Sequence, residues 1–322
     1  MPQVVSVLEE RHARFPADSA ALLSLTSIDH LIKEIQYHHT MQILVEIFIP
    51  LLIILMMLVV GLELTLDDFR RVRQFPKIIL AGSAGQLLLL PTIGMTVAWA
   101  LEPTSTIMAG MILVAACPGG AISNYYVYMA RTNVALSVTL TAISTILSII
   151  ALPMIAAACF WLLLKEGERI DVPVALMITQ LFLLLLLPIA TGMWVRRLWP
   201  QWVARRASSL RRFSILALAL IILFVIWEQA DSLTSHFEEL ALSASIYTLL
   251  TMAAGWGVGT GLKVNPADRF TLMVEFSVRN LAIVTVVGAT LLGNTELVVF
   301  AAAFFLIQAP FMLTAVYLHH KS

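Results

Sequence analysis

Glu275-Phe-Ser-Val-Arg279-Asn280, set between Phe270-Thr-Leu-Met and Leu-Ala-Ile-Val, puts a carboxylate, a guanidinium and an amide inside a run that is otherwise apolar. Ionisable groups at membrane depth are costly; they pair with one another or with a bound ion, and they mark functional sites. At i, i+4 the two charges could simply neutralise each other. That pairing still leaves Asn280, one carboxylate oxygen and most guanidinium donors in need of partners. A second stretch of this kind is Cys117-Pro-Gly-Gly-Ala-Ile-Ser-Asn124, inside the apolar segment 107–129. Pro118 has no backbone N–H, and Gly119 and Gly120 gain least from staying helical, so the helical ladder is expected to open there. Lipid cannot satisfy the freed backbone groups, so the break must be buried in protein or line a wet cavity. Ser123 and Asn124 add neutral oxygens beside the freed carbonyls, a set suited to an alkali cation. The competing reading is a Pro-Gly kink that only shapes helix packing.

Further polar groups lie in neighbouring spans. In the run that starts at Asn133, Ser137, Thr141, Ser144 and Ser148 fall within about 60° of arc at ~100° per residue, forming a hydroxyl stripe. Ser144 and Ser148 are assigned to helix packing. Ser137 and Thr141, one turn apart and close to the break, are candidate cation ligands. Gln86, in Ala-Gly-Ser-Ala-Gly-Gln-Leu-Leu-Leu-Leu-Pro91, is another buried amide, and the glycines of Gly255-Trp-Gly-Val-Gly-Thr-Gly261 suit close helix approach. Glu46 and Glu63 stand near the ends of the first span, where they reach the interface.

The elements that must hold these groups are membrane helices. Of 322 residues, 60% are apolar and 12% charged, with a mean hydropathy of +0.90, which defines an all-α polytopic membrane protein. Segments near the ~20 residues needed to cross a bilayer occur at 42–64, 77–100, 106–130, 133–163, 173–195, 213–229, 240–262, 269–292 and 297–318, nine in all. Residues 1–40 form a polar leader, whose apolar patch at 20–25 is too short to span, and residues 41–322 form the membrane domain; Met41 is a possible alternative start. Fourteen Lys and Arg fall on one side of these spans: Arg70, Arg71, Arg73, Lys77, Arg131, Arg196, Arg197, Arg205, Arg206, Arg211, Arg212, Lys263, Arg269 and Lys321. That side is expected to be cytoplasmic, with the N-terminus outside, the C-terminus inside and the plasma membrane as location. The cluster at 196–212 is read as a topological anchor.

A net charge of zero gives no sign of a nucleic-acid partner, and two cysteines in apolar spans give neither a disulfide framework nor a zinc site. No phosphate-binding loop, paired-His helix or serine elbow is present, and the short polar loops leave no room for a soluble catalytic domain, so an enzyme is not expected. Two interrupted polar helices, one in each half of the chain, are the pattern of a secondary transporter built from inverted repeats.

Cys117-Pro-Gly-Gly-Ala-Ile-Ser-Asn124, followed by Ala130-Arg-Thr-Asn-Val-Ala-Leu-Ser137, resembles the most specific signature of the bile acid:sodium symporter family, and the likeness runs from about Gly61 to the C-terminus. The resemblance implies a panel domain and a core domain, two broken helices crossing in the core, and a nine-span form with repeats of four and five helices. It implies a first sodium site of Ser123, Asn124, Ser137, Thr141 and Glu275. The family's second site uses Gln86, Glu275, the carbonyls after it and a glutamine four residues beyond. Here that last position is Arg279, which has only donors and a fixed charge and cannot ligate sodium. Either the guanidinium occupies the second site, held by Glu275 and Gln86, or it points into the substrate cavity and binds an anion. Asn280, Ala121 and Gln308 are assigned to that cavity. Ser277, where the family often has glycine, and Gln308-Ala-Pro310 depart from the family pattern.

The expected function is therefore symport of a small organic anion with sodium by alternating access, using one exchangeable sodium. The alternatives are a proton-coupled or uncoupled organic-acid carrier in which Glu275 titrates, and a non-transporting membrane sensor. The lipid bilayer is the expected surrounding, and no residue pattern specifies an oligomeric state.

Overall fold

The computed structural model describes residues 47–70, 73–168 and 170–321. The polar leader, its patch at 20–25, Met41 and Glu46 lie outside the described residues. Eleven principal helices follow in order: α1 Ile49–Glu63, α2 Pro76–Leu101, α3 Ser105–Ala116, α4 Ala121–Met129, α5 Val134–Leu163, α6 Val174–Leu198, α7 Pro200–Glu228, α8 Phe237–Gly261, α9 Pro266–Ser277, α10 Leu281–Leu291 and α11 Thr295–Lys321. No strand occurs among the described residues beyond one isolated bridge. Six helices, α2, α5, α6, α7, α8 and α11, are long and apolar enough to cross a membrane, while α1, α3 and α10 are shorter apolar helices. The chain is an all-α polytopic membrane protein.

Within the described residues, helices occupy each of the expected stretches, with one boundary displaced. The sixth span, expected at 213–229, is a helix that already starts at Pro200. Proline is pre-organised for the first helical turn, so the helix begins there and carries Arg205, Arg206 and Arg212 below its apolar part. Both interrupted segments do break: α3 and α4 are separated by residues 117–120, and α9 and α10 by residues 278–280. Helix α2 contains a π turn at Gly85–Leu89, just before Pro91, whose missing N–H loosens the ladder, and this wide turn carries Gln86 inward.

Helix α1 packs on α6 and α7, whereas α5 packs on α3, α4 and α9, and α8 on α2, α9 and α11. Within the 255–261 glycine run only part of the expectation holds. A Cβ on Gly255 would lie 2.6 Å from the carbonyl oxygen of Leu272 in α9, and one on Gly259 3.0 Å from Arg269 Cα, but Gly257 and Gly261 meet nothing within 4 Å. Gly255→Ala is therefore expected to push α8 off α9 at a cost of about 1–3 kcal/mol. Thermal unfolding in detergent should show a drop of several degrees for Gly255→Ala and no change for Gly257→Ala.

Candidate functional site

The two broken helices meet at their breaks. Cys117 and Val278 are extended, and Gly119 pairs with Arg279 as an antiparallel bridge. The Asn280 N–H donates to the Pro118 carbonyl at 2.9 Å and the Gly120 N–H to the Val278 carbonyl at 3.2 Å. Each break thus satisfies backbone groups that the other frees, as burial in an apolar medium requires. Gly120 is needed for the approach, because a Cβ there would sit 2.7 Å from the Arg279 carbonyl oxygen. Helices α3 and α9 end at the crossing with carbonyls that have no partner within their own helix, and α4 and α10 begin there with N–H groups in the same position. Asn280 caps α10, its Oδ1 accepting from the Ile283 N–H at 3.4 Å.

Glu275, in the last turn of α9, is fully buried. Its Oε1 accepts from Ser123 Oγ on α4 and from Ser137 Oγ on α5, both at 2.5 Å, and its Oε2 accepts from Thr141 Oγ1 at 3.0 Å. Ser137 Oγ also lies 2.7 Å from Asn124 Oδ1, and Ser123 Oγ lies 3.4 Å from Thr141 Oγ1. A hydroxyl carries a single proton, so Ser137 can donate to Glu275 or to Asn124 and not to both. The structure therefore brings Ser123, Asn124, Ser137, Thr141 and Glu275 together as a cluster of oxygens with too few protons, the donor set that a hard cation takes. Ser144, assigned to packing, also reaches the break: it donates to the Thr141 carbonyl at 3.1 Å and accepts from the Gly119 N–H at 3.4 Å. Ser148 bonds the Thr145 carbonyl at 2.8 Å, a packing role.

Arg279 sits elsewhere than between Glu275 and Gln86. Its Nη2 donates to the Cys117 carbonyl and its Nη1 to the Glu275 carbonyl at 3.4 Å, so the guanidinium spans the C-terminal ends of α3 and α9. Those ends carry partial negative charge from the helix dipoles and unsatisfied carbonyls. Two backbone oxygens thus replace the expected side-chain partners, because the crossing aims both helix ends at residue 279. Gln86 is 1% exposed, and neither its Oε1 nor its Nε2 has a hydrogen-bond partner. A Cβ on Gly119 would be 3.0 Å from Glu275 Oε2, 3.5 Å from Thr141 Oγ1 and 3.8 Å from Gln86 Oε1, so these three oxygens surround the bare face of that glycine.

A cavity of about 690 Å³ opens beside the crossing, between α1, α4, α7 and α11. Ala121, Asn280 and Gln308, assigned to one cavity from the sequence, all line it, together with Asn124 and Arg279. Most of the remaining wall is apolar, including Met56, Tyr126, Leu218 and Phe305, and the cavity extends to Glu63, Arg196 and Pro200 on the basic side. Arg196 Nη1 donates to the carbonyls of Leu62 and Glu63, each at 2.8 Å, which ties α6 to the end of α1. The N-termini of α4 and α10 face this space at Ala121 and Leu281, so its inner end is electropositive. Cys117 and Cys159 are buried and unbridged.

Residues 50–236 match the sequence profile described as the Sodium Bile acid symporter family. The probable sodium/metabolite cotransporter BASS2, chloroplastic, of Oryza sativa is 28% identical over 228 residues, covering 71% of this chain and 53% of the relative. The probable sodium/metabolite cotransporter BASS1, chloroplastic, of Arabidopsis thaliana is 29% identical over 238 residues, covering 74% and 58%. The uncharacterized sodium-dependent transporter YocS of Bacillus subtilis is 26% identical over 239 residues, covering 72% and 71%. The chain thus spans little more than half the length of the two plant relatives.

Proposed function

The chain belongs to the Sodium Bile acid symporter family, and from that membership and the geometry of the crossing we propose that it is a sodium-coupled symporter of a small organic anion, with one exchangeable sodium. The observation that carries this reading is the position of Ser137 Oγ, one proton facing both Glu275 Oε1 and Asn124 Oδ1. A sodium ion held by Ser123, Asn124, Ser137, Thr141 and Glu275 would neutralise the carboxylate and join α4, α5 and α9. Arg279, a tethered cation on the carbonyls of Cys117 and Glu275 rather than between Glu275 and Gln86, is read as the fixed charge that disfavours a second sodium, and the lone pairs of Gln86 are left to the small polar space around Gly119.

The anion would bind in the cavity, its charged group toward Arg279, Asn280 and the N-termini of α4 and α10, and its apolar part along α1, α7 and α11. The two plant relatives, both probable sodium/metabolite cotransporters, support this pairing. The lining reaches Glu63, Arg196 and Pro200 on the side proposed as cytoplasmic, which supports reading this conformation as the inward-facing member of an alternating-access pair. The plasma membrane is the proposed location, with the C-terminus inside.

Sodium binding is tested by thermal unfolding of the purified protein in NaCl and KCl at equal ionic strength. Selective binding stabilises the folded state by mass action, by about 2.7 kcal/mol at 100 times the dissociation constant. A saturable, one-site sodium response is expected. Identical sodium and potassium curves would sink the reading and favour the proton-coupled organic-acid carrier in which Glu275 titrates.

A further inference from the structure

The candidate ion ligands stand on α4, α5 and α9, and the ends of these helices nearest the basic face are joined by a second polar network. Asn133 caps α5, its Oδ1 accepting from the Leu136 N–H at 3.0 Å, and its Nδ2 donates to Asp268 Oδ1 at 2.7 Å. The other oxygen of that carboxylate accepts from Asn265 Nδ2 at 2.8 Å, while Asn265 Oδ1 caps α9 by accepting from the Asp268 N–H at 2.8 Å. One turn along α9, Thr271 Oγ1 accepts from the Asn133 backbone N–H at 3.2 Å and donates to the Ala267 carbonyl at 2.9 Å. The loop before Asn133 is fixed to α4, with the Thr132 N–H on the Val127 carbonyl at 3.1 Å.

Asp268 is 4% exposed. With both asparagine oxygens committed to helix caps, both Nδ2 groups are forced toward Asp268, so the carboxylate clasps two amides in one orientation. Helix geometry carries this register to the ion cluster. Glu275 lies seven residues beyond Asp268, about two turns or ~10 Å along α9, and Ser137 and Thr141 lie one and two turns beyond Asn133 on α5. Residues at such spacings share a helix face. Displacing α5 against α9 at the clasp therefore displaces the two hydroxyls against Glu275, and ligand geometry loses most of its benefit within about 1 Å.

We propose that Asp268 is a positioning residue for the ion site: the Asn133–Asp268–Asn265 clasp sets the separation of Glu275 from Ser137 and Thr141, and so sets sodium affinity, without touching the ion. This rests on the sodium-coupled reading above.

The test measures the sodium midpoint of thermal stabilisation together with the sodium-free melting temperature. Asp268→Asn sets an amide against an amide and is expected to raise the sodium midpoint about tenfold. Combining it with Asn133→Asp rebuilds every bond: the amide at 268 accepts from Asn265 and donates to the carboxylate at 133, which still caps α5, because aspartate is a good cap. This exchange is expected to return the midpoint to within about threefold of wild type. Thr271→Val, isosteric and milder, should raise it about threefold, and it decides the matter if Asp268→Asn does not fold. A merely structural clasp would lower the sodium-free melting temperature and leave every midpoint in place, which overturns the proposal. So would a folded exchange variant that keeps the single variant's midpoint. A wild type with no sodium-specific response removes the sodium-coupled reading and the positioning role with it, whereas a normal wild-type response with unmoved midpoints removes the positioning role alone.

Discussion

Glu275→Gln is expected to lower sodium affinity by on the order of 10³-fold and to stop sodium-driven uptake, while the protein still folds. The isosteric amide keeps one oxygen to accept from the hydroxyls of Ser123 and Ser137, and its NH2 group can donate to Thr141 Oγ1, so the cluster loses charge and little shape. What it loses is the attraction between the ion and a formal negative charge, about 4 kcal/mol at ~4 Å and an effective dielectric of ~20. At ~1.4 kcal/mol per decade that is close to three decades of affinity. Sodium titration of the melting temperature reads the loss directly, and uptake into vesicles under an imposed sodium gradient reads its consequence. A variant with a wild-type sodium midpoint would place the ion elsewhere and leave the oxygen cluster as a packing feature.

Arg279→Gln is expected to turn a one-sodium protein into a two-sodium protein. The guanidinium covers the carbonyls of Cys117 and Glu275, and Gln86 stands without a partner on the other side of the crossing. A fixed unit charge buried at the crossing opposes a second cation beside it. Glutamine removes that charge and supplies an acceptor oxygen in its place. The Hill coefficient for sodium should rise from about one toward two. Coupling should also change. One sodium with a monoanion moves no net charge, whereas two sodiums with a monoanion move one, worth about 2.3 kcal/mol per 100 mV. Transport current on a supported membrane should therefore appear in Arg279→Gln and be absent in wild type. A wild-type Hill coefficient near two would show that the tethered guanidinium does not exclude an ion.

These outcomes depend on two levels of information. The break after α3 is legible in the chain, since Pro118 has no N–H to give the ladder and Gly119 and Gly120 gain least from staying helical. The break after α9 holds neither proline nor glycine. It was visible only through Glu275, Arg279 and Asn280 lying in an apolar run, and its extended conformation comes from pairing with the first break. Gln86 was recognisable as a buried amide, but its direction follows from the π turn ahead of Pro91. Ser144 shares the hydroxyl stripe with Ser137 and Thr141, and nothing in its spacing distinguishes a group bonded to the Gly119 N–H from one that only packs. The asparagines of the clasp, Asn133 and Asn265, carry no signal in the sequence for the carboxylate they hold. Their meeting with Asp268 joins residues more than a hundred positions apart.

By itself the amino-acid sequence determined the membrane class, the order of the apolar helices, the first break and the identity of the oxygen-bearing side chains. These follow from local causes: hydropathy over ~20 residues, a missing N–H, the cost of a charge in lipid. Only the tertiary structure decided that Ser144 reaches the Gly119 N–H, that Asn133 meets Asp268, and that Arg279 rests on two backbone carbonyls. Every residue carries the same carbonyl, so no pattern of side chains can single out Cys117 and Glu275. The crossing of two broken helices does so, by bringing their unsatisfied ends face to face around one guanidinium.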